Sequence, residues 1–180
     1  MDELLLGLLE SAEQGDTDAQ NKLGDLYYYG RGVNVDYKQA AEWYGKASEK
    51  GDAYAQRRLG DLYFMQEDFQ QAHEWYRKAA DQDDADAAQR LGDIYYKGLG
   101  VQHDLQQALE WYRQAAFLGD GEQKYQFGKL LYDIDPYKYG DEGKEWIVEA
   151  AKQGHAAAQD WLDPDWYWEE DEDDDEDDDK

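Results

Sequence analysis

One short motif recurs four times along the chain and constrains its fold more than any other feature of the sequence. Leu-Gly-Asp-Leu-Tyr at residues 23–27 returns at 59–63, as Leu-Gly-Asp-Ile-Tyr at 91–95, and more weakly as Phe-Gly-Lys-Leu-Leu at 127–131. A second motif with a central tryptophan follows each copy, at Trp43, Trp75, Trp111 and Trp146. The steps between successive glycines of the first motif are 36, 32 and 36 residues. A period of this length indicates a repeat protein, in which each repeat packs on its neighbours.

Each repeat is predicted to be a pair of helices. In the first repeat, Ala19, Leu23 and Leu26 recur at helical spacing, and Asp36 is a candidate N-cap for a second helix. The glycine-rich stretch at 30–33 lies between them and supplies residues that tolerate positive φ. The second repeat lacks this stretch, which accounts for its shorter length of 32 residues.

Glycine occupies one position inside every predicted first helix, at residues 24, 60, 92 and 128. A glycine in a helix interior costs about 1 kcal/mol relative to alanine, so four placements at the same position need a packing reason. We expect the missing side chain to let the second helix, with its Trp-Tyr pair, approach the backbone closely. The four motif tryptophans are accordingly predicted to be core residues rather than a binding cage.

With these motifs the chain resembles the Sel1-like repeat family, relatives of the tetratricopeptide repeats. The family's pattern runs through an alanine, Leu-Gly, a tyrosine, a Gly-x-Gly-Val loop, an aspartate, an alanine and Trp-Tyr. Repeats one and three carry nearly the whole pattern, repeat two lacks the loop, and repeat four has Ile-Asp-Pro-Tyr at 134–137 in its place. The resemblance covers residues 15–162. It implies an all-α fold, a right-handed α-solenoid of antiparallel helix pairs that binds other proteins and brings no catalytic residues.

Three segments are predicted along the chain. Residues 1–14 form an N-terminal capping helix, residues 15–162 form about four repeats, and residues 163–180 form an aromatic and acidic tail, disordered at its end. The apolar run at 4–9 is too short to span a membrane, and acidic residues precede it where a signal peptide has basic ones. We therefore expect a cytoplasmic protein with no membrane partner.

Charge excludes further classes of function. The chain has 44 acidic and 18 basic residues, a formal charge of -26, and residues 169–179 are all acidic. Such a chain repels nucleic-acid phosphates, so direct nucleic-acid binding is not expected. It has no cysteine, its 3 histidines are far apart, and it has no phosphate loop or nucleophile motif. We expect no enzyme activity, no metal site, no cofactor and a monomer.

The predicted binding surface is the stripe of the first helices that packs neither inward nor on the second helix. In solenoids of the family this stripe lines a concave groove. The predicted protein-binding residues on it are Asp25, Tyr28, Asp61, Phe64, Asp93, Tyr96, Tyr125 and Tyr132, and Trp166 and Trp168 join them from the start of the tail. Carboxylates beside aromatic rings suit arginine and lysine of a basic partner. The alternative is that the aspartates only keep the helices soluble, that the rings complete the core, and that the two tryptophans cover the last helix.

Three functions remain open from the sequence. The leading hypothesis is an inhibitor that binds and neutralises a basic protein, such as an immunity protein against a bacterial nuclease toxin, because a nuclease must be cationic to hold phosphate. The second is a general adaptor or scaffold in signalling or complex assembly. The third is an acidic shield or chaperone for basic proteins that works through the tail.

Overall fold

The computed structural model describes residues 3–162, with side chains from Leu5 onward, and within that range every regular element is a helix. The helices are α1 (Glu3–Glu13), α2 (Thr17–Tyr29), α3 (Tyr37–Ser48), α4 (Ala53–Met65), α5 (Phe69–Ala80), α6 (Ala85–Lys97), α7 (Leu105–Leu118), α8 (Gly121–Ile134), α9 (Pro136–Lys152) and α10 (Ala156–Trp161). The first helices of repeats one to three are α2, α4 and α6, and their second helices are α3, α5 and α7. The all-α prediction and the helix pairs are therefore confirmed.

Aspartates cap the helices at the predicted boundaries. The carboxylate of Asp36 accepts hydrogen bonds from the backbone N–H groups of Lys38 and Gln39 and so begins α3. Asp16, Asp52 and Asp84 do the same for α2, α4 and α6, each bonding the N–H three residues on. An unpaired N–H at a helix start needs such an acceptor, so each Asp sets where its helix begins.

Repeat two turns between its helices without a glycine. Gly30 ends α2 at a φ of 68° and Gly98 ends α6 at a φ of 65°. Between α4 and α5, by contrast, only three residues connect the helices, and Glu67 takes a φ of 61°. A side chain in this left-handed region is strained, because its Cβ approaches the following carbonyl oxygen.

The chain divides into two compact units, Met1–Ala115 and Ala116–Lys180, and the division falls within α7. We call them unit 1 and unit 2 and describe each by itself. The predicted boundaries at 1–14, 15–162 and 163–180 stay predictions, and the predicted tail lies outside the described residues.

In unit 1, the first helices approach the second helices closely at the helix glycines, as predicted. The side chain that packs on each glycine is the tyrosine of the Trp-Tyr pair. A Cβ built on Gly60 would lie 2.6 Å from two ring carbons of Tyr76, and one on Gly92 equally close to Tyr112. Tyr44 packs on Gly24 in the same way. The first and second helices of each repeat can therefore pack this closely only where no side chain intervenes.

The core of unit 1 continues from repeat to repeat. Two clusters join the second helix of one repeat to the first helix of the next, as Tyr44 and Ala47 of α3 do with Leu59 and Leu62 of α4. Trp43 is buried in the first cluster, as predicted. Trp75 and Trp111 are only half-buried and pack on the outside of their clusters. The tyrosine thus fills the core more completely than the tryptophan beside it.

Unit 2 uses a different helix contact. A Cβ on Gly128 of α8 would lie 2.5 Å from the carbonyl oxygen of Gly143 in α9, and Ile147 stands where the other repeats have tyrosine. Asp135 caps α9, whose first residue is Pro136. Two facing glycines bring α8 and α9 together here, so repeat four keeps the close approach without the aromatic ring. Across residues 3–162, no helix is long and apolar enough to cross a membrane.

Candidate protein-binding face

Six of the predicted site residues lie on the three first helices of unit 1. The aspartate follows the helix glycine directly, and the aromatic residue comes three positions later, which places them on one side of each helix. We call this surface the first-helix face; its residues are Asp25 and Tyr28 on α2, Asp61 and Phe64 on α4, and Asp93 and Tyr96 on α6. Tyr125 and Tyr132 belong to α8 in unit 2, and Trp166 and Trp168 lie outside the described residues.

The three aspartates of the face accept hydrogen bonds from tyrosines of the second helices, of which Tyr44 and Tyr76 are buried and Tyr112 is half-buried. The hydroxyl of Tyr76 donates to Asp61 at 2.9 Å, and the equivalent hydroxyl of Tyr112 donates to Asp93 at 2.7 Å. Tyr44 donates to Asp25 at 2.6 Å. Burial raises the pKa of all three tyrosines well above the ordinary value, and the neighbouring carboxylate raises it further. Each aspartate is therefore held in one orientation by the core, a role that neither interpretation of the sequence included.

Arginines alternate with the aspartates along the face. Arg58 Nη1 donates to Asp61 at 2.9 Å, and its Nε lies 3.8 Å from Asp25 in the preceding repeat. Arg90 lies 3.9 Å from both Asp61 and Asp93. The aspartate–arginine row is Asp25, Arg58, Asp61, Arg90 and Asp93. Neither arginine was among the predicted site residues, although each lies three residues before an aspartate on a predicted helix, which was a visible signal.

The two arginines differ in environment. The side chain of Arg58 is 6% exposed, whereas that of Arg90 is 52% exposed. The Arg58 guanidinium carbon lies 4.1 Å from the ring centre of Tyr28 and 5.2 Å from that of Tyr29. Tyr44 and Tyr54 complete a tyrosine cage around it, at 5.6 and 5.9 Å. Arg58 of the chain itself therefore occupies this tyrosine cage.

Each aromatic residue of the face packs on the beginning of the second helix in its own repeat. Ring centres are 5.5 Å apart for Tyr28 and Tyr37, and 5.2 Å apart for Phe64 and Phe69. Tyr96 lies 6.4 Å from His103, two residues before α7. Tyr28 and Phe64 are half-buried, and Tyr96 is exposed. The rings therefore both support the helix pair and offer apolar surface to a partner.

The two predicted residues in unit 2 have their own partners. Tyr125 stacks on His155 with ring centres 4.7 Å apart, and the Nε2 of His155 lies 2.8 Å from a carboxylate oxygen of Glu122. Hydrogen bonds from Gln126 and His155 lower the pKa of Glu122. Tyr132 packs edge-on against Trp161 of α10. Both tyrosines join α8 to the end of the described chain.

Within residues 3–162, no group of three or more His, Asp and Glu side chains is placed to hold a metal ion. The three aspartates of the first-helix face are engaged in hydrogen bonds with tyrosines and in ion pairs with Arg58 and Arg90. Oriented carboxylates, one exposed arginine and partly exposed rings are suited to contact with another protein.

Family profiles match most of unit 1. The Sel1 repeat matches residues 17–52 and 85–120, and the tetratricopeptide repeat matches residues 53–86 between them. The second repeat, which lacks the glycine-rich loop, is thus the one that matches the shorter family. No curated protein matches the sequence.

Solved structures of the same architecture are similar over most of the chain. A Sel1 repeat protein from Oxalobacter formigenes is 33% identical, with a TM-score of 0.72, covering 82% of this chain and 62% of that one. A protective antigen of uropathogenic Escherichia coli with an SLR fold is 31% identical, with a TM-score of 0.71, covering 88% of this chain and 35% of that one. The chain therefore spans less than two thirds of either structure.

More distant structures share the fold alone. Immunity protein Pa5087 from Pseudomonas aeruginosa is 20% identical, with a TM-score of 0.59, covering 86% of this chain and 59% of that one. The repeat profiles together reach from residue 17 to residue 120, and the more similar structures are Sel1-repeat proteins. The chain belongs to the Sel1-repeat family of α-solenoid proteins.

Proposed function

We propose that this Sel1-repeat protein binds a basic protein on the first-helix face of unit 1 and thereby neutralises it, as an immunity protein neutralises a toxin. Sel1 and tetratricopeptide repeats are typically non-catalytic modules for protein interaction. The observation that carries the proposal is the row of three carboxylates on one face, each held by a tyrosine of the second helix and each followed three residues later by an aromatic ring.

The tyrosine bonds prepare these carboxylates for a partner. A side chain that is already ordered loses little conformational entropy when it binds, so an arginine or lysine of the partner gains more from each contact. Asp25 and Asp93 are 28% and 27% exposed and can be reached, whereas Asp61 is 13% exposed and serves the core. The contact residues are therefore Asp25, Asp93 and the exposed ring of Tyr96.

Charge supports a basic partner at longer range. A chain with a formal charge of -26 attracts a cationic protein and raises the rate of encounter, an effect that salt weakens. Two Pseudomonas aeruginosa structures, one described as an immunity protein, share this fold at 20% identity. This likeness supports the proposal through the fold, and the charge supplies the independent argument.

A second candidate is a general adaptor, and the arginines of the row favour it. Arg58 and Arg90 alternate with the three aspartates, so the row itself is close to neutral. Such a face would suit a partner that it recognises by shape and apolar contact rather than by charge. The third possibility, a shield that works through the acidic tail, rests on residues 163–180, outside the described structure.

Capture from nuclease-treated native lysate separates the three functions. The baits are the full chain, a 1–168 truncation, and the full chain with Tyr96→Ser and Asp93→Asn; Tyr137→Ser, at a fully exposed position of unit 2, is the matched control. We expect one basic protein in stoichiometric amount, retained by the truncation and the control, lost with the double variant, and bound at least about tenfold more weakly at 0.5 M salt.

Other outcomes would contradict the inhibitor proposal. A neutral or acidic partner whose binding barely responds to salt would support the adaptor. A broad set of basic proteins that is lost on truncation would support the shield.

A further inference from the structure

The missing loop of repeat two leaves an aromatic site of repeat one uncovered. In repeat three, the loop after α6 lies over the start of α5: a Cβ on Gly100 would be 2.9 Å from the Cβ of Phe69. Val101, next in the loop, packs against the same core cluster as Phe64. A loop in repeat two would, by the same repeat geometry, cover Tyr28 and Tyr37, the equivalents of Phe64 and Phe69. Repeat two has no such loop.

Of the two residues that such a loop would cover, Tyr37 is exposed and Tyr28 is half-buried. Tyr37 is 44% exposed, whereas Phe69, at the equivalent position under the loop, is half-buried. Met65 is 50% exposed, and its sulfur accepts a hydrogen bond from the Tyr28 hydroxyl at 3.4 Å. Tyr29 lies 4.9 Å from Tyr28, ring centre to ring centre. We call this surface, formed by Tyr28, Tyr29, Tyr37 and Met65, the uncovered site.

The loop of repeat three that covers the equivalent site in repeat two indicates what kind of residues the uncovered site binds. That loop places a glycine against the backbone at the start of α5 and a branched apolar side chain on the core cluster against which Phe64 also packs. The chain's own arginines already lie over two rings of the uncovered site, Arg58 over Tyr28 at 4.1 Å and Arg31 over Tyr29 at 4.6 Å. A further cation there would meet like charge, so the occupant brings an apolar residue.

We propose that the uncovered site receives a loop of the partner protein that carries a glycine followed by a branched apolar residue, in the place of the loop that repeat two lacks. Tyr28 belongs both to this site and to the first-helix face, so the two surfaces are continuous. Tyrosine and methionine are residues that dominate the centres of interfaces. The inference rests on the proposal that the first-helix face binds a protein, and it names where the apolar anchor of that partner docks.

The chain's own loop is a defined probe for the site. A cyclic peptide with the sequence of residues 96–104 presents Gly100 and Val101 in a turn, and the control peptide carries Val101→Asp. The chain has only 2 methionines, Met1 and Met65, so methyl-13C methionine labelling of the full chain yields one reporter in the site and one reference. We expect the peptide to shift the Met65 signal saturably and leave Met1 unchanged.

Variants test whether the shift comes from the site. Tyr37→Ser should weaken peptide binding at least about tenfold, the loss typical of an aromatic residue at an interface centre, whereas Tyr137→Ser should leave it unchanged. Insertion of Gly-Leu-Gly-Val between Gln66 and Glu67 should move the Met65 signal without peptide and abolish the response to it. Circular dichroism of each variant checks that it is folded, and Tyr37→Ser alone suffices if the insertion does not fold.

The proposal is overturned if millimolar peptide leaves Met65 unmoved, if the Val101→Asp peptide binds equally well, or if Tyr37→Ser has no effect. The proposed function fails separately: it is contradicted by the capture experiment, which uses residues of α6 and a native partner, whatever the peptide does. If the peptide binds but the capture experiment finds no basic partner, the uncovered site is supported and the inhibitor proposal is contradicted.

Discussion

In each of the first three repeats, a glycine, the aspartate after it and a tyrosine of the second helix form one contact. The glycine admits the tyrosine ring, and the ring then reaches far enough for its hydroxyl to donate to the aspartate, as in Gly60, Asp61 and Tyr76. A buried hydroxyl needs such an acceptor, because leaving it unpaired costs about 1–3 kcal/mol. The recurrence of Gly-Asp with a later tyrosine is thus explained by one packing arrangement.

Alanine substitution separates the two roles that a helix glycine can have. Gly60→Ala should lower the free energy of unfolding by about 1–3 kcal/mol, because the added methyl would overlap the fully buried ring of Tyr76. Gly45→Ala is the matched control in α3: nothing lies within 4 Å of its Cβ, so it should stabilise by up to about 1 kcal/mol. Urea denaturation of both variants measures the difference, and equal effects would refute the close-approach argument.

The hydroxyl of Tyr54 should make stability depend on alkaline pH. It donates to both carboxylate oxygens of Asp25, at 2.7 and 2.9 Å, and burial together with this bond raises its pKa from 10.0 to about 12. Because the unfolded chain loses this proton first, the stabilisation is complete below about pH 10 and is lost as pH rises toward about 12.

Thermal unfolding of the wild type and Tyr54→Phe over this range provides the test. The melting temperatures should differ by a constant amount between about pH 7 and pH 9, and the wild type should then fall more steeply. Parallel curves up to about pH 12 would show that the hydroxyl bond to Asp25 does not contribute.

At the scale of elements, successive first helices are joined by side chains that reach into the next repeat. Arg58 of α4 contacts Asp25 of α2, and Arg57 of the same helix donates to Asp84, the N-cap of α6, at 3.1 Å. Asn21 of α2 donates to Asp52, the N-cap of α4. Helix starts in one repeat are therefore positioned by the repeat before them, which couples neighbouring repeats in addition to the apolar core.

Two arginines at the same repeat position should differ sharply in their contribution to this coupling. Arg58→Ala should destabilise by about 2–4 kcal/mol, because it empties the tyrosine cage and removes the cation that is hydrogen-bonded to the half-buried Asp61. Arg90→Ala should cost less than about 0.5 kcal/mol, since its pairs are 3.9 Å long and exposed. Chemical denaturation compares the two, and equal losses would contradict the assigned roles.

For the whole molecule, charge opposes compactness. The formal charge of -26 in 180 residues produces repulsion among exposed carboxylates that the ion pairs of unit 1 offset only locally. An acidic repeat protein of this kind is suited to staying apart from its own copies while attracting a cationic partner. The net charge therefore lowers stability, and under the proposed function it would favour association with a basic partner.

Salt should stabilise the full chain. Raising sodium chloride from about 20 mM to about 500 mM shortens the Debye length several-fold, so the melting temperature should rise by several degrees. The 1–168 truncation, which lacks the eleven consecutive acidic residues, should show a smaller rise. Differential scanning calorimetry measures both; a fall in melting temperature with salt would mean that attractive pairs such as Arg58–Asp61 outweigh the repulsion.

Much of the fold could be predicted from the sequence because the same residue types recur at equivalent positions of successive repeats. The glycines at 24, 60 and 92 indicated a close approach of the two helices in a repeat, and Asp36 indicated the start of α3. The shorter period of repeat two showed that it lacks the loop. These features depend on contacts within one helix or one repeat, where spacing along the chain determines which residues share a side.

Contacts between repeats were decided only by the tertiary structure. Arg58 and Arg90 occupy the same position, yet one is caged by tyrosines and the other is exposed, because their neighbouring repeats bring different side chains to it. The aspartates of the face were predicted either to contact a basic partner or to keep the helices soluble, and the structure shows that tyrosines from the second helices hold them. Helical periodicity shows which side of a helix a residue is on. It does not show what the packed neighbour places there, and that decides charge, exposure and the capacity to bind.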